Sequence, residues 1–305
     1  MKKVLVVGSA VVDVIITLDH LPGRSADVHV KTQTMSLGGC AYNTSDIIRH
    51  FGVPYIPFFP VGKGAYGEFV KARLAERGIT SPIPSPDSEN GCCYCFVEED
   101  GERTFISYHG AEYRFERSWF DMLDAKEIDS VYICGLEIEE STGVNIVDYL
   151  EQHPEFNVFF APGPRLEKVH PDLMKRLFAL KPILHLNASE ALAYPQNTTL
   201  SEAAHYLYQL SGNAVMITLG KEGCYLYDGK EEIVIPGVPA TQIDTIGAGD
   251  SHIGAIIANV QLGKTLPEAI AIANRISAKV VETKGALLST EDFQSLDLKK
   301  ILNLT

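Results

Sequence analysis

The chain has 305 residues, 46% of them hydrophobic and 21% charged, which is ample for a sizeable buried core. A formal net charge of −13 excludes a general nucleic-acid or anionic-membrane surface, though not a local nest of amides that holds a phosphate with its metal ion. No run approaches the ~20 apolar residues of a membrane span. The six cysteines (Cys40, Cys92, Cys93, Cys95, Cys134 and Cys224) mostly lie in apolar runs and read as reduced thiols of a cytoplasmic protein. Cys92 and Cys95 have CxxC spacing, but no second pair accompanies them, and their alternation fits a strand rather than a zinc site.

From the start, Lys2 and Lys3 precede a brief apolar run over residues 4–7, ending in Gly8-Ser9-Ala10. A short signal peptide has similar composition, but the run is brief and Asp13 follows it, so it is read as a first buried strand. Residues 14–34 mix Thr17, His20, His29, Lys31 and Gln33 with valine and leucine and show no helical period. Gly38-Gly39-Cys40-Ala41-Tyr42-Asn43 leads into a helical run through Ile47, Ile48 and Phe51. The paired glycines allow close backbone approach, and Asn43 can donate to and accept from hydroxyls, although a plain turn into a helix looks the same. Gly62-Lys63-Gly64 lacks the spacing of a phosphate-binding P-loop. Ser81-Pro82-Ile83-Pro84-Ser85-Pro86 is read as a rigid connector. Residues 92–98 and 103–108 flank a polar turn, Glu99-Asp100-Gly101-Glu102, and read as a hairpin.

Further along, apolar runs at 131–133, 158–160, 183–186 and 214–218 alternate with helical patterns at 142–150, 201–210 and 266–283. This rhythm predicts an α/β fold, a mainly parallel central sheet with helices on both faces, in a single domain over residues 1–305. The segments 14–36 and 91–109 break the rhythm and are expected to form a small β-sheet lid, an edge extension of the main sheet being the alternative.

Asn187-Ala188-Ser189-Glu190 follows a strand and has capping-box spacing, and Glu190 could also orient waters on a magnesium ion. Thr218-Leu219-Gly220-Lys221-Glu222-Gly223 is a glycine-bracketed turn, where Lys221 reads as an exposed turn residue. The most informative stretch is Asp244-Thr245-Ile246-Gly247-Ala248-Gly249-Asp250, three small residues and two carboxylates ahead of Ile253, Ile257 and Val260 on one helix face. Gly247, Ala248 and Gly249 thus stand at a helix N-terminus, where free N–H groups and the dipole attract an anion. Asp250 at its rim suits a general base for a hydroxyl, while a loop that merely caps a helix is the structural alternative. His252, two residues on, is read as a helix-face residue, and the nine histidines show no metal spacing.

These motifs together resemble the ribokinase-like (PfkB) carbohydrate kinases over nearly the whole chain. The resemblance implies that Asp250 is the catalytic base and Gly247-Ala248-Gly249 the anion hole. It implies that Asn187 and Glu190 serve the phosphate and magnesium region, that Thr218, Gly220 and Gly223 lie along the nucleotide, and that Asn274 lies near adenine. A monovalent-cation loop, for potassium or another such ion, would use Asp244, Ile246, Val280, Thr283, Gly285 and Ser289. Sugar ligands would be Asp13, Gly39, Asn43 and Glu137. Two departures stand out. Cys40 and Ala41 replace the last two residues of the usual Gly-Gly-Lys-Gly, which weakens ribose as the substrate. Ala161-Pro162-Gly163-Pro164-Arg165 lacks the carboxylate of the usual Asp-Pro-Asn-x-Arg, and Arg165 is either a contact for an anionic substrate group or a surface residue.

The expected activity is ATP- and magnesium-dependent phosphorylation of a primary hydroxyl on a sugar or nucleoside. A sugar acid or sugar phosphate is the alternative acceptor, and a non-catalytic nucleotide- or sugar-binding module is the alternative of another class. The expected partners are a small-molecule substrate and, through the lid, a second copy of the chain. Neither nucleic acid nor a membrane is expected.

Overall fold

The computed structural model describes residues 1–194 and 198–296, so the end of the expected domain, 297–305, lies outside it. In chain order the strands are β1 (Lys3–Val7), β2 (Val11–Thr17), β3 (Thr32–Gly38), β4 (Tyr55–Phe58), β5 (Cys92–Val97) and β6 (Arg103–Tyr108). They continue with β7 (Ile128–Cys134), β8 (Asn157–Ala161), β9 (Ile183–Asn187), β10 (Val215–Thr218), β11 (Gly223–Tyr227) and β12 (Glu232–Pro236). The helices are α1 (Cys40–His50), α2 (Gly64–Glu76), α3 (Arg117–Phe120), α4 (Gly135–Glu139), α5 (Gly143–Glu151) and α6 (Pro171–Ala179). After them come α7 (Ala188–Ala193), α8 (Leu200–Ser211), α9 (Ala248–Gln261), α10 (Leu266–Val281) and α11 (Thr290–Ser295).

Eight strands form the large sheet in the order β12-β11-β10-β9-β8-β7-β1-β4. It is parallel from β10 to β4, and β11 and β12 add an antiparallel edge. The pleat sends alternate residues to opposite faces, and both faces are covered. Val4, Val6, Tyr132, Phe159 and Met216 join the core under α1, α9 and α10. Leu5, Val7, Val131, Ile133, Phe160, Leu184 and Val215 join the core under α5, α6 and α8. That is why the central runs are apolar at every position rather than alternating.

The helix ends follow local chemistry. Thr199 and Glu202 form a reciprocal capping box on α8, as do Thr265 and Glu268 on α10 and Asn187 and Glu190 on α7. The helical run expected from Ser251 begins earlier, at Ala248, which puts Asp250 in the first turn of α9. β4 carries Pro57 and is easily missed in the sequence. It is an edge strand, where a residue without an N–H costs no ladder bond.

The two segments that broke the rhythm make a separate sheet, ordered β3-β2-β5-β6, and not an extension of the large one. In β2, Val12, Val14 and Ile16 face the core, while Asp13, Ile15 and Thr17 face a cavity between the sheets. Register carries that cavity face across the lid, pairing Asp13 with Cys93, Cys93 with Ser107 and Val97 with Arg103.

Candidate active site

Two cavities meet at the carboxyl ends of the parallel strands, where open α/β sheets hold their ligands. The larger, about 1060 Å³, lies beneath the lid and is lined by Asp13, Gly39, Asn43, Arg103, Asp244, Ile246, Asp250 and Gly285 among others. The smaller, about 290 Å³, is lined by the ends of β7 to β10, including Asn187, Glu190 and Thr218, and by Gly249 and Asp250. Asp250, Cys40, Leu136 and Arg165 border both.

Asp250 is held in place by α1. Asn43 Nδ2 donates to its Oδ2 at 2.9 Å, and Thr44 Oγ1 donates to its backbone carbonyl at 3.3 Å. Burial pushes the Asp250 carboxyl up to about 6, against the pull of hydrogen bonds from Asn43 and Cys40. Asp13 is pushed up to about 7, first by burial and then by the Asp250 charge. Gly38 lets Asp13 sit there, because a Cβ on that glycine would lie 1.9 Å from Asp13 Oδ2.

The loop before Asp250 is organised by Asp244. Its Oδ1 accepts from Ile246 N at 2.9 Å and from Arg103 Nη1 at 2.8 Å, and its Oδ2 accepts from Gly285 N at 3.1 Å. Burial works to raise the Asp244 carboxyl, and these three donors together hold it below the ordinary carboxylate range. Gly247 caps α9 with φ +75°, and the N–H groups of the first turn, starting at Ala248, follow it.

On the wall of the smaller cavity, Asn187 Oδ1 accepts from Glu190 N at 2.9 Å while Glu190 Oε2 accepts from Asn187 N at 3.0 Å. Both the cap and the cavity position expected of Glu190 therefore hold at once. His185, which also lines the smaller cavity, packs with His252 in a buried pair, with His185 Nε2 2.9 Å from His252 Nδ1 and His252 Nε2 3.0 Å from Asn274 Oδ1. Asn274 Nδ2 donates to Ile235 O and Pro236 O, so its oxygen is the acceptor. The network then assigns His252 a proton on Nε2 and His185 a proton on Nε2. Burial holds both rings neutral, His252 at about 4 and His185 well below the ordinary range, where the His252 charge adds to burial.

Several residues singled out in the sequence stand apart from the cavities. Glu137 is 1% exposed, its Oε2 accepts from Cys134 Sγ at 2.7 Å, and its Oε1 is buried without a partner. Asn274 has its amide committed as described. Gly220 and Gly223 bracket the turn from β10 to β11, outside the cavity walls. Of the cation set, Val280 O accepts from Thr283 Oγ1 at 2.8 Å, and Ser289 Oγ accepts from Asp292 N at 3.0 Å as the cap of α11. Ser289 Oγ also donates to Asp292 Oδ2 at 2.7 Å. Arg103 was not singled out from the sequence. The signal was present in the strand period, which puts Arg103, Phe105 and Ser107 on one face of the hairpin.

Comparison with known proteins decides what this geometry belongs to. The family model described as pfkB family carbohydrate kinase matches residues 1–292. The chain belongs to the pfkB carbohydrate kinase family. This kinase is 32% identical over 288 residues to an uncharacterised sugar kinase of Escherichia coli K12, YegV, covering 93% of this chain and 90% of that one. Its fold matches a ribokinase from Thermotoga maritima with a TM-score of 0.81 at 21% identity, over 98% of this chain and 100% of that one. It likewise matches an aminoimidazole riboside kinase from Salmonella enterica, solved with aminoimidazole riboside and an ATP analogue, with a TM-score of 0.78 at 20% identity over 96% and 99%. The protein is an ATP-dependent kinase that acts on a hydroxyl group.

Proposed function

We propose that this kinase phosphorylates a primary hydroxyl of a sugar or nucleoside, with Asp250 as the base. The observation that carries the reading is the position of Asp250, in the first turn of α9 and at the junction of the two cavities. The acceptor occupies the cavity beneath the lid, where Asp13, Asn43 and the backbone at Gly39 meet its other hydroxyls. ATP lies along the smaller cavity, past Thr218, Asn187 and Glu190. Asp250 takes the hydroxyl proton as the oxygen attacks the terminal phosphorus. The N–H groups around Gly247-Ala248-Gly249 stabilise charge on the transferring phosphoryl group, and the lid sheet excludes water.

The residues present fit a magnesium ion. Glu190 carries a half-buried carboxylate on the cavity wall with Oε2 spent on its cap, which leaves Oε1 for metal-bound water. Bound magnesium would neutralise phosphate charge. A monovalent ion fits less readily, because the Asp244 carboxylate and Ser289 Oγ are already partnered. It would rest on backbone carbonyls of the same loops, and no step is assigned to it.

A second reading, a sugar acid or sugar phosphate as acceptor, has one observation in its favour. Arg165 borders both cavities and has a buried Nε without a partner, although its Nη1 pairs with Glu139 at 3.1 Å. One experiment tests these readings together. Turnover of MgATP is measured with neutral sugars, sugar acids and nucleosides for the wild type and Asp250→Asn. The expected result is turnover of a neutral sugar or nucleoside and a fall in kcat of about 10²–10⁴ in the variant. Near-normal turnover by folded Asp250→Asn refutes the base, preference for an acid supports the second reading, and tight binding without turnover leaves a binding module.

A further inference from the structure

We infer that Arg103 is a positioning residue that latches the lid to the loop leading into the anion site, acting through Asp244. This rests on the active-site reading above and goes beyond it, since it couples closure of the lid to assembly of that loop.

Arg103 begins β6, an edge strand of the lid sheet, and Asp244 begins the loop that ends at the α9 N-terminus, 141 residues away. Their 2.8 Å ion pair crosses the cavity that both residues line. Asp244 is 7% exposed, and it is the hub of its loop. Besides its side-chain bonds to Ile246 and Gly285, its own N–H and that of Ile243 both donate to Val281 O. Among the described residues Arg103 is the only cation in ion-pair range of Asp244. Within the lid β6 pairs with β5 along its whole length, while its stretch from Phe105 to Tyr108 is exposed, so Arg103 is the residue of β6 that ties this edge to the α9 loop. Arg103 Nε is buried and lacks a partner, so the guanidinium is held in place by Asp244 rather than by a web of contacts. A guanidinium that leaves this carboxylate strands a nearly buried charge, so the lid and the loop order together or loosen together.

The test uses the full chain with Arg103→Gln, Arg103→Lys, Asp244→Asn and the Gln/Asn double variant. The first readout needs no acceptor. A glutamate-specific protease cuts the exposed hairpin turn, which carries Glu98, Glu99 and Glu102, faster the more often the hairpin opens and lets the backbone extend into the protease. Arg103→Gln is expected to be cut about ten-fold faster, and the double variant no faster than the worse single one, because both remove the same contact. The second readout is turnover with MgATP and the best acceptor from the panel above. There kcat is expected to fall roughly 10- to 100-fold, as for a misplaced site, with acceptor KM nearly unchanged and Arg103→Lys partly restoring both readouts. Unchanged cleavage in Arg103→Gln, additive effects in the double variant, or a loss confined to acceptor KM would each overturn the latch. If Asp244→Asn does not fold, the Gln and Lys variants at Arg103 decide the matter by the cleavage readout. If no acceptor in the panel is turned over, the reading of the acceptor fails while the cleavage readout still tests the latch.

Discussion

Asp13 and Asp250 are two carboxylates that the fold makes hard to ionise, Asp250 at about 6 and Asp13 at about 7. A base must be deprotonated to work, so kcat/KM should fall as pH drops through about 7 to 6, the two groups titrating as a pair. The stability sign is opposite to that of a salt-bridged carboxylate. The native state binds these protons more tightly than the unfolded chain, whose carboxyls titrate near 4, so their contribution is present below pH 4 and lost as pH rises through about 6 to 7. Asp250→Asn should therefore melt higher than the wild type at pH 8 and equally at pH 4. Melting curves at the two pH values check this, and a lower melt of the variant at pH 8 would contradict it. At this scale the sequence was legible where a residue type suffices. Asp250 and Asn43 stood in motifs, Asp13 came only with the family resemblance, and all three line the larger cavity. Glu137 did not end in a cavity wall, because whether a carboxylate points inward or outward depends on the turn after β7, and its buried partner Cys134 carries no motif.

At the scale of elements, α9 depends on how its first turn is built. Gly247 has φ +75°, and a Cβ there would lie 2.6 Å from both Ala286 Cβ and Ala286 O. Gly249 is different: a Cβ there meets nothing within 4 Å. Gly247→Ala should cost about 2 kcal/mol or more of stability, from left-handed strain and overpacking together. Gly249→Ala should leave stability unchanged or raise it, since alanine favours a helix, while lowering turnover by placing a methyl on the cavity wall. Chemical denaturation beside initial rates separates the two, and equal destabilisation would show the first turn to be misread. The helix itself was legible from Ile253, Ile257 and Val260, but its start was not. Ala248 and Gly249 have no period to reveal that the helix has already begun. The hairpin β5–β6 was placed to within a residue, because a polar turn containing Asp100 and Gly101 punctuates it.

Over the whole molecule, the lid sheet is the part with unfinished apolar surface. Met35, Phe105, Ile106 and Tyr108 are 40%, 56%, 56% and 64% exposed on it. A homodimer through the lid is the expected state, and light scattering at micromolar concentration should return twice the chain mass of 33.4 kDa. Arg103 lies on the same sheet, so a monomer would leave the lid held to its own core alone. Both the α/β rhythm and the small sheet were readable in the sequence because period 2, period 3.6 and their interruption are local properties. The order of strands and the approach of Arg103 to Asp244 were not, because they depend on which face of the sheet each crossover takes.

The joint ownership of Asp250 by the two cavities also constrains the steady state. On the proposed reading Asp250 takes a proton and not the phosphoryl group, so transfer passes directly between two ligands bound at once. Double-reciprocal plots against either substrate should then intersect rather than run parallel, and no product should leave before both substrates have bound.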